Sequence, residues 1–239
     1  MGDDDKLSTV GTVHGIKPVH FGLDEKNEYY ADEIESQGFR GISCRIHTPH
    51  GSFSALIPIP GRHMVYNALA GTAVGCMYGL TLEQIKQGIE TLQSVSGRFH
   101  IIETGKYTVV DDCYNANPDS MKAALAMFKD FPCKRRFALL GDMLELGELS
   151  REAHEELGRL AAESGLYCLI TYGEQAKRTA VVAAAKGVET LHAENYREAA
   201  DALLDRVQPG DAVLVKASHG MALEKVLDIF YEEHKEAEV

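Results

Sequence analysis

Residues 107–129, YTVVDDCYNANPDSMKAALAMFK, carry the pattern that decides the fold of the larger part of this chain. The β-rich run at 107–111 is followed by a polar turn. Asn117 then precedes Pro118, the arrangement of a helix N-cap with proline at the first helical position. A helix is predicted from there to Lys129. The stretch therefore indicates one strand–loop–helix unit.

The same unit recurs downstream, with capping signals at Ser150 before a helix and at Gly165 and Gly187 after two others. Because strands alternate with helices, the pattern predicts an α/β fold with a mainly parallel sheet. The charged tail at 232–239 is predicted to fray. The further strands are predicted at 136–140, 167–171, 189–192 and 212–216, and the further helices at 151–163, 174–186, 196–207 and 221–232.

Upstream of residue 97 the pattern has a different character. Residues 39–59 contain two extended runs around Pro49, His50 and Gly51, which predicts a β-hairpin. The small residues of 61–70 predict a helix, and Thr81 with Gln84 forms the capping-box pattern of a second one. We therefore predict two domains, 1–97 and 98–239.

Composition restricts the classes of function. The chain of 239 residues has 24 Lys and Arg against 36 Asp and Glu, a net charge of -12, which argues against a nucleic-acid binder. No run reaches the roughly 18 apolar residues of a membrane span, and the acidic start lacks the pattern of a secretory signal. The five scattered cysteines predict free thiols, so we expect a cytoplasmic protein without membrane insertion.

Ligands of parallel sheets lie at the carboxyl ends of the strands, which selects the loops at 111–117, 141–148 and 216–220. The first combines Asp111 and Asp112 with Tyr114 and Asn115. Asp, Asn and Pro also serve ordinary turns, and Asn117 is explained as a cap. Two adjacent acids beside Tyr114 and Asn115 exceed that need, and they favour a ligand loop.

The other two loops allow two interpretations each. Asp142 and Glu145 belong either to a plain connection or to a ligand site. Lys216 and Ser218 before a helix suit a carboxylate or phosphate, whereas the alternative is a helix start beside a lysine with a buried stem.

Three residues nearer the N-terminus suit a nucleotide. Arg98 suits a phosphate, although a lone arginine more often forms a surface salt bridge. His63 and Asn67 share a helix face, where Asn suits an adenine edge and a buried polar pair is the alternative.

Two familiar kinds of motif are not predicted. Cys44, His47 and His50 resemble metal ligands, but residues 44 and 47 of one strand point to opposite faces, which argues against zinc. The sequence also lacks both the phosphate-loop and the dinucleotide-binding fingerprints.

Five strings in this order closely resemble the Mur ligases of bacterial cell-wall synthesis. They are GRHMVYNALA at 61–70, SGRF at 96–99, DDCYNANPDS at 111–120, GDMLELGE at 141–148 and VLVKASHG at 213–220. The resemblance implies that 1–97 is the last part of a P-loop-type central ATPase domain and that 98–239 is a complete Rossmann-like C-terminal domain. The P-loop and the residues for Mg²⁺ would lie upstream, so we expect part of a longer enzyme, inactive alone.

The resemblance also implies an activity. NANPDS and GDMLELGE are most similar to the member that adds D-Ala-D-Ala to UDP-N-acetylmuramoyl-tripeptide. In that reaction ATP, with Mg²⁺, phosphorylates the tripeptide carboxylate, and the amine of the dipeptide attacks the acyl phosphate. The implied partners are these small molecules alone, and the implied parent enzyme is monomeric. Alternatives are another Mur-type or folylpolyglutamate-type ligase, or a non-catalytic nucleotide-binding module.

The resemblance assigns roles to residues at the matching positions. Many members have Asn where Met64 stands, so one adenine contact is in doubt. The implied contacts are adenine for His63 and Asn67, a phosphate across the interdomain cleft for Arg98, ribose for Asp112, the dipeptide for Tyr114, Asn115 and Asn117, and its carboxylate for Lys216 and Ser218.

Overall fold

A computed structural model describes residues 1–236 and divides into two units, Met1–Gln93 and Ser94–Val239. The two units divide after Gln93, a few residues before the domain boundary predicted after residue 97. The structure contains no helix, within the described residues, that is long and apolar enough to cross a membrane.

The first unit is a four-stranded sheet with two helices. Strands β1 to β4 follow one another in space, with β1 parallel to β2 and the other pairs antiparallel. The predicted hairpin is confirmed as β3 and β4, and the predicted Thr81–Gln84 capping box opens α2. The elements are β1 Phe21–Gly22, β2 Tyr29–Ser36, β3 Ile42–Thr48, β4 Gly51–Ile57, α1 His63–Met77 and α2 Leu82–Glu90.

The second unit is the predicted α/β fold around a six-stranded sheet. Its strands lie in the order β5-β6-β10-β7-β8-β9, all parallel except β5, which is antiparallel to β6. The elements are β5 His100–Glu103, β6 Thr108–Asp112, α3 Pro118–Lys129, β7 Arg136–Gly141, α4 Ser150–Glu163, β8 Cys168–Tyr172, α5 Ala176–Ala185, β9 Glu189–Ala193, α6 Tyr196–Leu204, β10 Ala212–Lys216 and α7 Glu224–Glu236.

The helices cover both faces of this sheet. Helix α4 packs against α3 and α5, and α6 packs against α7. Side chains of α6 and α7, among them Leu203 and Phe230, share one core with Phe137 and Val213 of the strands. All five residues of β10 are buried because helices cover both sides of the central strand.

Strand β10 creates the point where the strand order reverses. It is the last strand along the chain, yet it lies between β6 and β7 and pairs in parallel with both. The loops after β6 and β7 lead to α3 and α4, which pack on each other, whereas the loop after β10 leads to α7, which packs against α6. In open α/β sheets such a crevice is where ligands bind.

Some predictions at the ends of elements are wrong. Ser150 begins α4 and is not its N-cap, because a short 3₁₀ turn, Gly147–Leu149, leads into the helix. Helix α7 starts later than predicted, after a 3₁₀ turn at His219–Met221, and continues to Glu236, since Glu and Lys favour helix. The predicted fraying of the tail stays a prediction, and 237–239 lie outside the described residues. Strands β1, β2 and β5 were not predicted.

Candidate functional site

Three polar loops meet where β6, β10 and β7 end, and Ser218 joins them. Its hydroxyl donates to the carbonyl of Ala116 at 3.2 Å and accepts from the amide of Leu144 at 2.9 Å. Its own amide donates to the carbonyl of Asp142 at 3.0 Å. The three loops that the carboxyl-end rule selects are thus hydrogen-bonded to one another.

Lys216 and Asp112 form a buried ion pair at the ends of β10 and β6. The parallel register sets these residues side by side, and Nζ lies 2.7 Å from Oδ2. Lys216 is only 2% exposed and also donates to the carbonyl of Asn115 at 2.9 Å. Burial raises the pKa of the Asp112 carboxyl, although the Lys216 ammonium and the amide of Phe99 act in the opposite direction. The pair links β10 to the β6–α3 loop.

Both acids of β6 also hold the segment that carries Arg98. The amide of Gly97 donates to Asp111 Oδ2 at 2.8 Å, and the amide of Phe99 donates to Asp112 Oδ1 at 2.9 Å. The Gly97 carbonyl accepts from the amide of Tyr114 at 2.8 Å. A side chain at Gly97 would be strained at its φ of +76° and would press on Tyr114. The backbone on either side of Arg98 is therefore fixed to the end of β6.

The side chain of Arg98 lies on the ring of Tyr114. Its guanidinium carbon is 3.8 Å from the ring centroid. Both residues are exposed, and the ring of His219 lies 5.6 Å from that of Tyr114. Arg98 therefore presents a positive charge at the surface beside the β6–α3 and β10–α7 loops.

The two asparagines of the first loop have local partners. Asn117 caps α3 as predicted: its Oδ1 accepts from the amide of Ser120 at 2.8 Å, and the Ser120 hydroxyl accepts from the amide of Asn117. Asn115 is exposed, and its Oδ1 accepts from the amide of Ala116 at 2.9 Å. The Nδ2 group of each remains available for hydrogen bonds to a ligand.

The β7–α4 loop is held by two buried side chains, Asp142, which the sequence singled out, and His154, which it did not. His154, fully buried on α4, accepts at Nε2 from the amide of Met143 at 3.0 Å, and its Nδ1 donates to the carbonyl of Ser150 at 2.7 Å. Asp142 accepts from the amides of Gln175 and Ala176 at 3.2 and 2.7 Å, which caps the start of α5. His154 shares the buried helix face of Leu157 and Ala161, and this spacing was the available signal.

Glu145, the other acid of this loop, is exposed and has a φ of +63°.

In the first unit, His63 and Asn67 lie in the first turns of α1 and are exposed. Asn67 Nδ2 donates to the sulfur of Met64 at 3.4 Å, so Met64 occupies one of the two amide donors. The two predicted residues share one accessible helix face.

Asp3 is a second acid whose role the sequence did not indicate. It accepts from the amide of Leu23 at 2.5 Å, from Asn27 Nδ2 at 2.8 Å and from the hydroxyl of Tyr66 at 3.1 Å. Burial raises the pKa of Asp3, but these hydrogen bonds and that of the Asp24 amide outweigh it and lower the pKa. Asp3 therefore fastens the N-terminus to β1 and α1.

The strand order and the reversal at β10 define a Rossmann-like α/β unit, which follows a smaller α/β unit in the chain. The family model of the Mur ligase glutamate ligase domain matches residues 97–219, and that of the Mur ligase middle domain matches 1–75. The chain belongs to the Mur ligase family.

Particular relatives share this arrangement. The UDP-N-acetylmuramoyl-tripeptide–D-alanyl-D-alanine ligase of Bacillus subtilis (strain 168) is 33% identical over 234 residues, which are 95% of this chain and 49% of that protein. A crystal structure of MurF from Acinetobacter baumannii has a TM-score of 0.80 at 29% identity, covering 89% of this chain and 46% of that one. MurF from Thermotoga maritima in complex with ADP has a TM-score of 0.72 at 26% identity, covering 91% and 49%. The chain spans about half the length of the curated relatives it matches.

Proposed function

We propose that this chain is part of an ATP-dependent ligase that joins D-Ala-D-Ala to UDP-N-acetylmuramoyl-tripeptide. The observation that carries the proposal is the joining of the three polar loops through Ser218 at the reversal of strand order. The loop strings and the similarity to the Bacillus subtilis ligase support the same reaction. We further propose a cytoplasmic, monomeric enzyme that acts on these small molecules.

The reaction forms an amide from a carboxylate through an acyl phosphate. The carboxylate of the tripeptide receives a phosphoryl group, and the dipeptide amine then attacks the acyl carbon and displaces phosphate. Two demands follow for the protein: it must neutralise phosphate charge, and it must align the amine with the acyl carbon.

The exposed residues of the site suit the nucleotide and the dipeptide. We assign adenine to His63 and Asn67, since an amide side chain both donates and accepts. Arg98 would contact a phosphate, because a guanidinium donates along two parallel directions. Tyr114, Asn115 and Asn117 would lie beside the dipeptide.

The buried residues can reach a ligand only with the bonding capacity they have left. The Lys216 ammonium has three protons, of which Asp112 and Asn115 take two, so one remains for a dipeptide carboxylate. The Ser218 hydroxyl proton is used by Ala116, so a carboxylate would have to displace that carbonyl. The side chain of Asp112 is 16% exposed, and through this exposed part it would accept a hydrogen bond from a ribose hydroxyl.

The described residues contain no group of three His, Cys, Asp or Glu side chains placed to hold a metal, and by resemblance the residues for Mg²⁺ would lie upstream. Arg98 is the proposed contact for the nucleotide phosphates, and the given sequence contains no phosphate-loop motif. We therefore expect this chain to bind nucleotide weakly and to hydrolyse no ATP above background.

Isothermal titration of the chain with D-Ala-D-Ala, with and without ATP and Mg²⁺, tests the proposal. We expect saturable binding with a dissociation constant of about 1 mM or tighter, a binding free energy of about -4 kcal/mol. L-Ala-L-Ala serves as the ligand control and should not bind. Asn115→Ala should weaken binding, because Asn115 is exposed and lies in the proposed dipeptide loop. Lys186→Ala, at an exposed site beyond α5, is the matched control.

Two outcomes would contradict the proposal. Equal binding of both dipeptides would remove the specificity on which the assignment depends. Absence of dipeptide binding both to this chain and to a longer protein that carries the upstream segments would refute the acceptor site.

A further inference from the structure

We propose that Tyr114 is a positioning residue for Arg98, holding the guanidinium plane so that its N–H edge faces a polyphosphate. The inference rests on the proposed function, in which Arg98 contacts a phosphate. It gives Tyr114 a second role, to orient Arg98, in addition to its proposed place beside the dipeptide. The carrying observation is the 3.8 Å approach of the Arg98 guanidinium carbon to the ring centroid.

The backbone contacts around this pair hold both ends of the stack. Gly97 donates to Asp111 and accepts from the amide of Tyr114, and Phe99 donates to Asp112. The residues flanking Arg98 and the residue that carries the ring are therefore joined through the end of β6. This arrangement fixes where the arginine side chain starts and where the ring lies.

The charge of Arg98 is not neutralised within the described part of the chain. The ion pairs found there join other residues, and none of them includes Arg98. By contrast, Arg135, which also lies over aromatic rings, is paired with the buried carboxylate of Asp211 at 2.5 Å. Arg135 is thus a structural cation, whereas Arg98 keeps its donors for an external anion.

An aromatic platform suits this task better than a carboxylate would. A ring contacts the face of the guanidinium and leaves the N–H groups at its edge free, while restricting a side chain that otherwise has many rotamers. An exposed stack of this kind contributes enough to change anion affinity by about two- to fivefold. The ring of His219, at 5.6 Å, limits in turn where the Tyr114 ring can move.

The stack is tested first, without any ligand. NMR spectra of the ¹⁵N-labelled chain identify the Arg98 Nε–Hε resonance by its loss in Arg98→Gln. Wild type and Tyr114→Phe should show the upfield shift that an aromatic face causes, and Tyr114→Leu should lose it. Because Tyr114 is 49% exposed, the backbone spectrum of Tyr114→Leu should otherwise remain that of the folded chain.

Tripolyphosphate is the probe for the anion, followed by the same NMR signals and by calorimetry. We expect Tyr114→Phe to match wild type, Tyr114→Leu to bind about two- to fivefold more weakly, and Arg98→Gln to lose most of the affinity. A purely structural role would not distinguish Phe from Leu through the Arg98 signal.

The inference is overturned if Tyr114→Leu keeps the Arg98 shift or binds tripolyphosphate as tightly as wild type. It is overturned equally if wild type binds no tripolyphosphate or if Arg98→Gln binds it unchanged. The proposed ligase function has its own readout, the D-Ala-D-Ala titration of the wild-type chain. A failure of one therefore does not imitate a failure of the other.

Discussion

Removal of both members of the Lys216–Asp112 pair should destabilise the second unit by less than the sum of the two single removals. Lys216→Met leaves the carboxylate of Asp112 largely buried, and Asp112→Asn leaves an ammonium that is 2% exposed facing only neutral oxygens. At 2.7 Å and an effective dielectric constant of about 20, the gross attraction is about 6 kcal/mol, most of which offsets desolvation. We expect each single change to cost about 3–5 kcal/mol.

The double variant, Asp112→Asn with Lys216→Met, should cost less than the sum of the single changes by at least about 2 kcal/mol, since no unpaired charge remains buried. The chain has no Trp, so urea unfolding is followed by far-UV circular dichroism together with thiol labelling of Cys168, a fully buried residue of the second unit. Labelling at Cys168 reports on this unit alone. Additive losses, or single losses below about 1 kcal/mol as for exposed ion pairs, would refute the reasoning.

Three further predictions concern packing, the β7–α4 loop and pH. Gly158→Ala should destabilise by about 1–3 kcal/mol, because its Cβ would lie 2.6 Å from a backbone oxygen of α5. Gly88→Ala should stabilise by up to about 1 kcal/mol, because the added Cβ would meet no heavy atom within 4 Å outside its chain neighbours and the backbone of its own helix. If urea unfolding shows that both alanine variants change the stability in the same direction, this contrast is disproved. His154→Phe should cost about 1–3 kcal/mol and speed hydrogen exchange at the Met143 amide; unchanged exchange would count against the described bond. The lowered pKa of Asp3 means that its stabilisation is complete above about pH 4 and is lost as pH falls through the folded pKa. Acid unfolding of Asp3→Asn should therefore be less steep, and an unchanged slope would exclude this contribution.

Local signals were sufficient to predict most elements of the second unit. Apolar runs such as Ala212–Lys216 and caps such as Asn117 depend on neighbours within a few residues, and they were confirmed. Strand β5 was missed because four residues, HIIE, carry too short a pattern and are only half-buried. The strand order was not predictable, because the place of β10 depends on pairings between residues far apart in the chain, such as Ala212 with Thr108 and with Arg136.

The same distinction applies to the candidate site. The carboxyl-end rule selected three loops, and the structure brings them together. The rule could not indicate that Lys216 has a carboxylate of the chain itself as its partner, since that depends on the register between β6 and β10. His154 was missed because its helix position is that of an ordinary buried side chain, and its bond to the Met143 amide depends on how the loop before the helix folds.

The position of β10 has a consequence for synthesis of the protein. Until residues 212–216 leave the ribosome, β6 and β7 each present an unpaired edge, and no native strand is available to fill the gap between them. During that interval the nascent chain exposes two strand edges with unpaired backbone N–H and C=O groups, which favour pairing with each other or with another chain. Lys216 and Ser218 belong to the same segment, so the candidate site and the closure of the sheet are completed together, after β6 and β7 have been made. Slow decoding just before this strand would lengthen the vulnerable period, and a chaperone that shields strand edges would act most usefully there.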